Sequence, residues 1–176
     1  AYTVDTDEMA HQLYEPYSPT WHTIVSQFGR SIVCADDKID RVALGELIFG
    51  DPTSRQVLNS IMHPQIYKGC KTVIDQSRKR GIEVLVLEVP LLVEVGWGDI
   101  VDEVWLVNSP YDQVVFRLQT HRKLSEQDIH VRIDSQTSFD DRRKYANVVI
   151  DNSGTLEQLN DVVDNLWKTR VKGLIS

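Results

Sequence analysis

The chain has 176 residues, which is the size of one domain with room for a hydrophobic core. Its hydrophobic content of 41% and charged content of 26% are typical of soluble globular proteins. A formal net charge of -7 argues against a broad nucleic-acid-binding or acidic-membrane-binding surface. Any anionic ligand would therefore need a local cluster of basic groups.

The sequence pattern does not indicate a membrane-spanning or a secreted protein. No apolar stretch reaches the roughly 18 residues that a membrane-spanning helix needs, and no signal-peptide pattern is present. Cys34 and Cys70 are isolated and lack metal-type spacing, which predicts reduced thiols in a cytosolic protein.

The chain opens on residues typical of the end of a strand, followed at once by Asp5-Thr6-Asp7 and a helix that ends at Pro16. Two acids at the exit of a strand can bind Mg²⁺ or accept a proton from a hydroxyl nucleophile. Asp at this position also commonly caps a helix. The spacing alone leaves both interpretations open.

Four helices are predicted next. The first carries Trp21, Ile24, Val25 and Phe28 and closes at Gly29, and Asp40 caps the second, whose predicted buried residues are Leu44, Leu47, Ile48 and Phe49. Asp51-Pro52 begins the third, and a fourth, long helix follows His63-Pro64 and runs to about Arg80. A lone histidine before proline is usually structural.

A nearly unbroken apolar run occupies 82–94, where Gly81 precedes it and Pro90 ends the strand pattern. A short continuous Val/Leu run predicts a strand covered on both faces, as in a parallel α/β sheet. Ligands of such sheets bind beyond the carboxyl ends of the strands. An ordinary core strand remains the simpler interpretation of the run by itself.

The second half alternates strands and helices. Strands are predicted at 101–107 and 148–152, and helices at 111–120, from Ser125 onward with Asp128 at the capping-box position, and from Thr155 to about Val171. Strands separated by helices imply a parallel sheet with right-handed crossovers.

Basic residues concentrate between the last two predicted strands, at Arg117, Arg122, Lys123, Arg132, Arg142, Arg143 and Lys144. A cationic lid over an anionic site suits phosphoryl transfer, because charge must be neutralised and water excluded. A basic surface patch is the alternative. The run 140–144 is mixed in charge and typical of a solvated face.

Eight segments in order carry a resemblance to a known family. They are the D-x-D-x-x-A-H pattern at 5–11, Ile39-Asp40-Arg41, His63-Pro64, Val89-Pro90-Leu91-Leu92 with Glu94, 101–105, Arg117-Leu118, Arg132-Ile133 with Gln136, and 149–154. Over essentially its whole length the chain resembles the dephospho-CoA kinases, which catalyse the last step of coenzyme A synthesis.

The resemblance implies an α/β fold of the P-loop NTPase and nucleotide-kinase type. A single kinase-like domain, 1–176, would comprise a core (1–11, 81–116 and 146–176), a helical CoA-binding region (12–80) and a lid (117–145). The implied reaction is ATP-dependent phosphorylation of the 3′-hydroxyl of dephospho-CoA, with ATP and Mg²⁺, in the cytoplasm. The implied partners are the two small-molecule substrates, with no nucleic acid and no membrane.

The resemblance also implies roles for residues. Asp7 would be the general base, Asp5 a helper near the metal, and Arg132 a phosphate contact from the lid. ATP would be bound by Arg117 and Asn152, with His121 or the adjacent Arg122. The acceptor side would be shaped by six residues: His63, Pro64, Pro90, Leu91, Leu92 and Glu94.

One departure concerns the family's opening strand and G-x-x-x-x-G-K-[ST] loop, since none of the nine glycines lies in such a motif. We therefore expect a truncated form of an active kinase, inactive by itself, whose remaining strands form two half-sheets with unpaired edges. A non-catalytic CoA-binding or nucleotide-binding homologue and a different nucleotide kinase are the alternatives.

Three smaller departures affect single positions. His121 stands where the family usually has an arginine, Tyr67 where an arginine often follows the His-Pro motif, and Asn147 where an aspartate precedes the last strand. They leave open how the lid supplies its positive charge.

Overall fold

A computed structural model of the protein describes residues 1–134 and 136–174. It divides into two compact units, Ala1–Pro90 and Leu91–Ser176. The single domain with a helical region and a lid remains a prediction. Among the described residues, no helix combines the length and apolar character needed to cross a membrane.

The first unit places one parallel strand pair beside a group of helices. In chain order its elements are β1 (Tyr2–Asp5), α1 (Thr6–Leu13), α2 (Pro19–Phe28), a 3-10 turn (Arg30–Ile32), α3 (Arg41–Gly50), α4 (Pro52–Lys79) and β2 (Leu85–Glu88). β1 and β2 are parallel, with Tyr2 opposite Leu85 and Asp5 opposite Glu88. The carboxyl ends of both strands therefore lie at one edge of the sheet.

Side-chain caps explain where the helices of this unit begin. Ser18 accepts a hydrogen bond from the Trp21 amide, and Pro19 occupies the first turn of α2, where its missing N–H costs nothing. Asp40 caps α3 and Asp51 caps α4, each through two backbone amides. Both predicted aspartate caps are confirmed.

The core of the first unit lies among its helices. It consists of Trp21, Ile24, Ile32, Ile39, Leu44 and Met62. The Trp21 indole N–H also donates to the Asp37 carbonyl at 2.8 Å, which fixes the turn before α3. Phe49 was predicted to be buried with Leu44, and this is wrong because its side chain is 55% exposed.

Helix α4 corrects the predicted break at His63-Pro64. It runs unbroken over 28 residues with Pro64 inside it. Proline removes one intrahelical hydrogen bond and disfavours helical conformation in the preceding residue. Here α4 packs against α1, α2 and α3, and this tertiary packing outweighs the local preference.

Strand β2 corrects the expectation of a strand covered on both faces. Only four residues of the apolar run are in the strand, and their exposure alternates along it. Val86 is 41% exposed, so one face of the β1–β2 pair is open at this position. The apolar run predicts the strand and its parallel partner, but not its burial.

The second unit contains the other parallel pair. Its elements are α5 (Leu92–Val95), a 3-10 turn (Trp97–Ile100), β3 (Trp105–Asn108), α6 (Tyr111–Arg122), α7 (Glu126–Asp134), α8 (Phe139–Arg143), β4 (Val148–Asp151) and α9 (Leu156–Leu166), continued by a π turn (Trp167–Val171) and a 3-10 turn (Lys172–Leu174). β3 and β4 are parallel, with Asn108 opposite Asp151.

The sheet organisation matches the expectation of two half-sheets. Throughout residues 1–134 and 136–174, the named strands form one two-stranded sheet in each unit. In β4, Val148 and Ile150 are buried, while Val107 in β3 is 54% exposed. The predicted Ser125 cap is also confirmed, because Ser125 Oγ accepts from the Asp128 amide at 3.1 Å and donates to its carboxylate at 2.6 Å.

An ion pair ties the carboxyl-terminal turn to the start of β3. Arg170 donates from Nη2 to Glu103 Oε1 at 2.8 Å and from Nε to Oε2 at 3.1 Å, while the Trp105 indole donates to the same carboxylate at 2.8 Å. The bonds from Arg170 make the largest contribution, followed by the bond from Trp105, and together they hold the pKa of Glu103 below its usual value of 4.5.

We expect this pair to contribute stability that depends on pH. Because the pKa of Glu103 is lower in the folded state, the contribution is present above pH 4.5 and lost as pH falls through the folded-state pKa. The Arg170 side chain is 40% exposed, so solvent screening keeps this contribution small. The melting temperature of Glu103→Gln should fall furthest below that of wild type near neutral pH, with the exposed Glu83→Gln as the control. A difference in melting temperature that grows in acid would contradict the assignment.

Candidate active site

Asp5 occupies the junction between β1 and α1. Its Oδ1 accepts from the Asp7 amide at 2.8 Å and from the Glu8 amide at 3.3 Å, so it is the N-cap of α1. The capping interpretation is therefore confirmed for Asp5. Over the described parts of the chain, its second oxygen, Oδ2, receives no hydrogen bond.

Asp7 lies in the first turn of α1 and is exposed. Asp5 rather than Asp7 caps the helix, and the Asp7 carboxylate has no hydrogen-bond partner in the regions the structure describes. The positive end of the helix dipole favours a negative charge at this position. Asp7 is thus a carboxylate held at the carboxyl end of a strand and available to a ligand.

Thr6 fixes this junction relative to β2. It is buried, and its Oγ1 donates to the Glu88 carbonyl at 2.8 Å. Because Asp5 pairs with Glu88 in register, the bond clamps the start of α1 to the end of β2. The Asp5–Asp7 segment and the chain leading to Pro90 therefore lie at the same sheet edge.

His63 and Pro64 lie on α4, which packs against α1. His63 is half-buried, and burial lowers the pKa of its imidazole. Farther along α4, a Cβ added at Gly69 would lie 2.5 Å from Met9 Sδ of α1. Gly69 thus lets the helix that carries Asp7 approach closely the helix that carries His63.

In the second unit, the structure brings Arg117 and Asn152 together. Arg117 donates from Nη2 to the Asn152 carbonyl at 3.0 Å and from Nη1 to Ser109 Oγ at 3.1 Å. The Asn152 amide donates to the Asn108 carbonyl at 2.7 Å, which continues the β3–β4 pairing. Arg117 is therefore anchored at the carboxyl ends of β3 and β4.

Glu94 connects the start of the second unit to the segment before α8. Its Oε1 accepts from the Thr137 amide at 2.9 Å. Leu92 begins α5, and Leu91, which precedes it, is 39% exposed. The three predicted acceptor-side residues of this unit thus lie within one turn, and one of them is bonded to the predicted lid.

The basic residues of the predicted lid are on different helices. His121 and Arg122 are exposed in the last turn of α6, and Arg132 is exposed on α7. Arg142 on α8 differs, because its Nε is buried and has no hydrogen-bond partner among the described residues. The interpretation of 140–144 as a solvated face therefore fails for Arg142.

Asn147 performs a structural function. Its side-chain oxygen accepts from the Val104 amide at 2.8 Å, and its own amide donates to the Val104 carbonyl at 2.9 Å. This bond needs an oxygen acceptor, and the asparagine side chain supplies one. This departure from the family pattern leaves the start of β4 intact.

Sequence reasoning missed four residues that hold candidate site residues in place within their own units: Thr6 in the first unit, and Ser109, Gln113 and Thr137 in the second. Gln113 lies one helical turn before Arg117, so the i,i+4 spacing could have indicated its contact. The other three act through contacts between residues that are distant in sequence. No local pattern marks them.

Comparison with known proteins identifies the family. The sequence model described as CoaE, dephospho-CoA kinase, matches residues 1–158. The chain belongs to the dephospho-CoA kinase family. The dephospho-CoA kinase of Dehalococcoides mccartyi is 36% identical over 96% of this chain and 85% of its own length, and that of Symbiobacterium thermophilum is 36% identical over 98% and 72%.

Solved structures confirm the fold. TT1252 from Thermus thermophilus has a TM-score of 0.75 and 26% identity over 96% of this chain and 84% of its own. The dephospho-CoA kinase from Campylobacter jejuni has a TM-score of 0.70 and 23% identity over 98% and 86%. The predicted family and its α/β kinase-type fold are confirmed. Family membership supports the predicted function, ATP-dependent phosphorylation of dephospho-CoA in coenzyme A synthesis.

Proposed function

We propose that the protein transfers the γ-phosphoryl group of ATP to the ribose 3′-hydroxyl of dephospho-CoA, with Asp7 as the general base. The observation that carries this proposal is the exposed Asp7 carboxylate at the carboxyl end of β1, which accepts no hydrogen bond from the described residues, in a chain whose family match covers 1–158. A carboxylate with free lone pairs can accept the proton of a hydroxyl as it attacks phosphorus. The bond from phosphorus to the new ester oxygen forms as the bond to the ADP oxygen breaks.

Mg²⁺ fits the residues around Asp5. Kinase sites hold this ion through one or two carboxylates together with substrate phosphates, so a full protein cage is not needed. Capping uses Oδ1 of Asp5 and leaves Oδ2 available. When bound, the ion would neutralise charge on the phosphates, while the α1 amides keep the Asp5 carboxylate in place.

Arg117 and Asn152 are proposed to hold the adenine end of ATP. The edges of the Arg117 guanidinium are engaged by Ser109, Gln113 and the Asn152 carbonyl. A guanidinium restrained at its edges can offer its flat face to a purine, because arginine stacks on aromatic rings. The half-buried position of Arg117 supports this assignment.

The remaining site residues are assigned by their chemistry. His121 or Arg122 from α6 would contact ATP, and Arg132 from α7 would place positive charge near its phosphates. The acceptor side would comprise His63, Pro64, Pro90, Leu91, Leu92 and Glu94. The lowered pKa of His63 favours the neutral imidazole, so His63 would act as a hydrogen-bonding group.

We assign the protein to the cytoplasm, acting on dephospho-CoA and ATP as small-molecule substrates. The free cysteines Cys34 and Cys70 support a reducing compartment. We further propose that the 176 residues by themselves do not turn over, because none of their glycines forms the phosphate-binding motif.

The test is a coupled assay for ADP, run on this chain and on the native protein. The native protein is the one that the source organism produces. The native protein should convert dephospho-CoA to coenzyme A with ATP and Mg²⁺, and phosphorus NMR of the product should show a 3′-phosphate. Adenosine should be a much poorer acceptor. Calorimetric binding of dephospho-CoA without turnover by the native protein would instead support a non-catalytic binding homologue, and preference for another nucleoside would support a different kinase.

A further inference from the structure

Gln113 bridges two groups that the proposed ATP site uses. Its Nε2 donates to the Ser153 carbonyl at 2.7 Å, and its Oε1 accepts from Arg117 Nη2 at 3.2 Å. The side chain is half-buried on α6, one turn before Arg117. It therefore connects the guanidinium to the turn that follows β4.

The two groups that Gln113 contacts, the Arg117 guanidinium and the Ser153 carbonyl, have opposite hydrogen-bonding requirements. A guanidinium only donates hydrogen bonds, and a backbone carbonyl only accepts them. The neutral amide of Gln113 satisfies both at once, with its oxygen toward Arg117 and its nitrogen toward Ser153. Glutamate would keep the first bond but place a carboxylate oxygen against the Ser153 carbonyl.

The bridge completes a closed network at the carboxyl ends of β3 and β4. The Asn152 carbonyl accepts from Arg117 at 3.0 Å and from Ser109 Oγ at 3.2 Å. Ser109 in turn accepts from the other terminal nitrogen of Arg117. Ser109 thus holds Arg117 to residue 152, and Gln113 extends the restraint to residue 153.

We propose that Gln113 is a positioning residue that sets the orientation of Arg117 and of the 152–154 turn for nucleotide binding. The nucleotide part rests on the proposed function. A long arginine side chain loses rotamer freedom when it binds a ligand, and a neighbour that restrains it beforehand lowers that cost. Gln113 therefore acts on ATP affinity and leaves dephospho-CoA affinity unchanged.

The test compares Gln113→Ala with Gln119→Ala in the native protein. Gln119 is an exposed glutamine on the same helix and serves as the matched control. Gln113→Ala should raise KM for ATP about tenfold, since bonds to charged groups are among the stronger ones, with kcat changed less than threefold. KM for dephospho-CoA should stay within twofold. Gln113→Glu should recover only part of the ATP affinity.

Two further measurements separate positioning from a general structural role. In an Arg117→Ala background, Gln113→Ala should raise KM for ATP less than threefold, because most of its effect passes through Arg117 and only the bond to Ser153 remains. NMR relaxation of the Arg117 side chain should show greater mobility in Gln113→Ala than in Gln119→Ala. An additive effect on KM, or unchanged Arg117 mobility, would overturn the proposal. If the native protein lacks kinase activity, the proposed function fails, and the mobility measurement still decides the role of Gln113.

Discussion

Asp7→Asn in the native protein should reduce kcat by about a thousandfold, within the range that general-base catalysis supplies. Asparagine has nearly the same size as aspartate but cannot take the proton of the 3′-hydroxyl. Because Asp5 rather than Asp7 caps α1, the substitution leaves the helix start unchanged. ATP affinity, measured by calorimetry, should stay within about twofold, since the change removes proton transfer.

Glu8→Gln is the matched control for that prediction. Glu8 is an exposed carboxylate in the same turn of α1, so its neutralisation reproduces the loss of charge near the helix dipole. We expect kcat within threefold of wild type for this variant. Turnover retained by Asp7→Asn, or an equal loss in Glu8→Gln, would exclude Asp7 as the base.

Arg117→Ala should raise KM for ATP by about 30-fold, as expected for loss of a partly desolvated stacking cation. The substitution also leaves Ser109, Gln113 and the Asn152 carbonyl without the guanidinium that joins them. Affinity for dephospho-CoA should fall much less. Arg117→Lys should remain impaired, because an ammonium restores the charge without the planar surface.

Arg143→Ala tests whether loss of positive charge alone explains the Arg117 result. Arg143 is exposed on α8 in the same unit. Its removal should leave KM for ATP nearly unchanged at physiological ionic strength, where distant exposed charges are screened. Titration calorimetry in which Arg117→Ala weakens dephospho-CoA more than ATP would reverse the assignment of Arg117 to the nucleotide.

The features predicted well from sequence are those that short segments determine. The caps Asp40, Asp51 and Ser125 depend on hydrogen bonds within one helical turn, and all three are confirmed. Burial depends on what packs against a segment. Phe49 and Val86 are exposed because an apolar pattern identifies a residue suited to a core without showing which partner covers it.

The same distinction applies to the candidate site. Family motifs identified Arg117 and Asn152, and the structure places them in contact. The motifs gave no indication that Gln113 reaches Ser153 or that Glu94 accepts from Thr137. Those contacts join residues about forty positions apart, so they depend on how parallel strands bring distant segments to one edge. At Pro64 the local sequence was misleading. The low helix preference of proline predicted a break in the helix, but packing of α4 against its neighbours keeps the helix continuous.

The exposed valines of the two strand pairs have a practical consequence for handling the chain. Val86 and Val107 place apolar surface on strands β2 and β3, each of which lies in a two-stranded sheet within the described part of the chain. An edge strand with unpaired backbone groups can form hydrogen bonds with a strand of another molecule. A two-stranded sheet is also only marginally stable by itself. Preparations of these 176 residues should accordingly self-associate as concentration rises, and light scattering across a dilution series would reveal it.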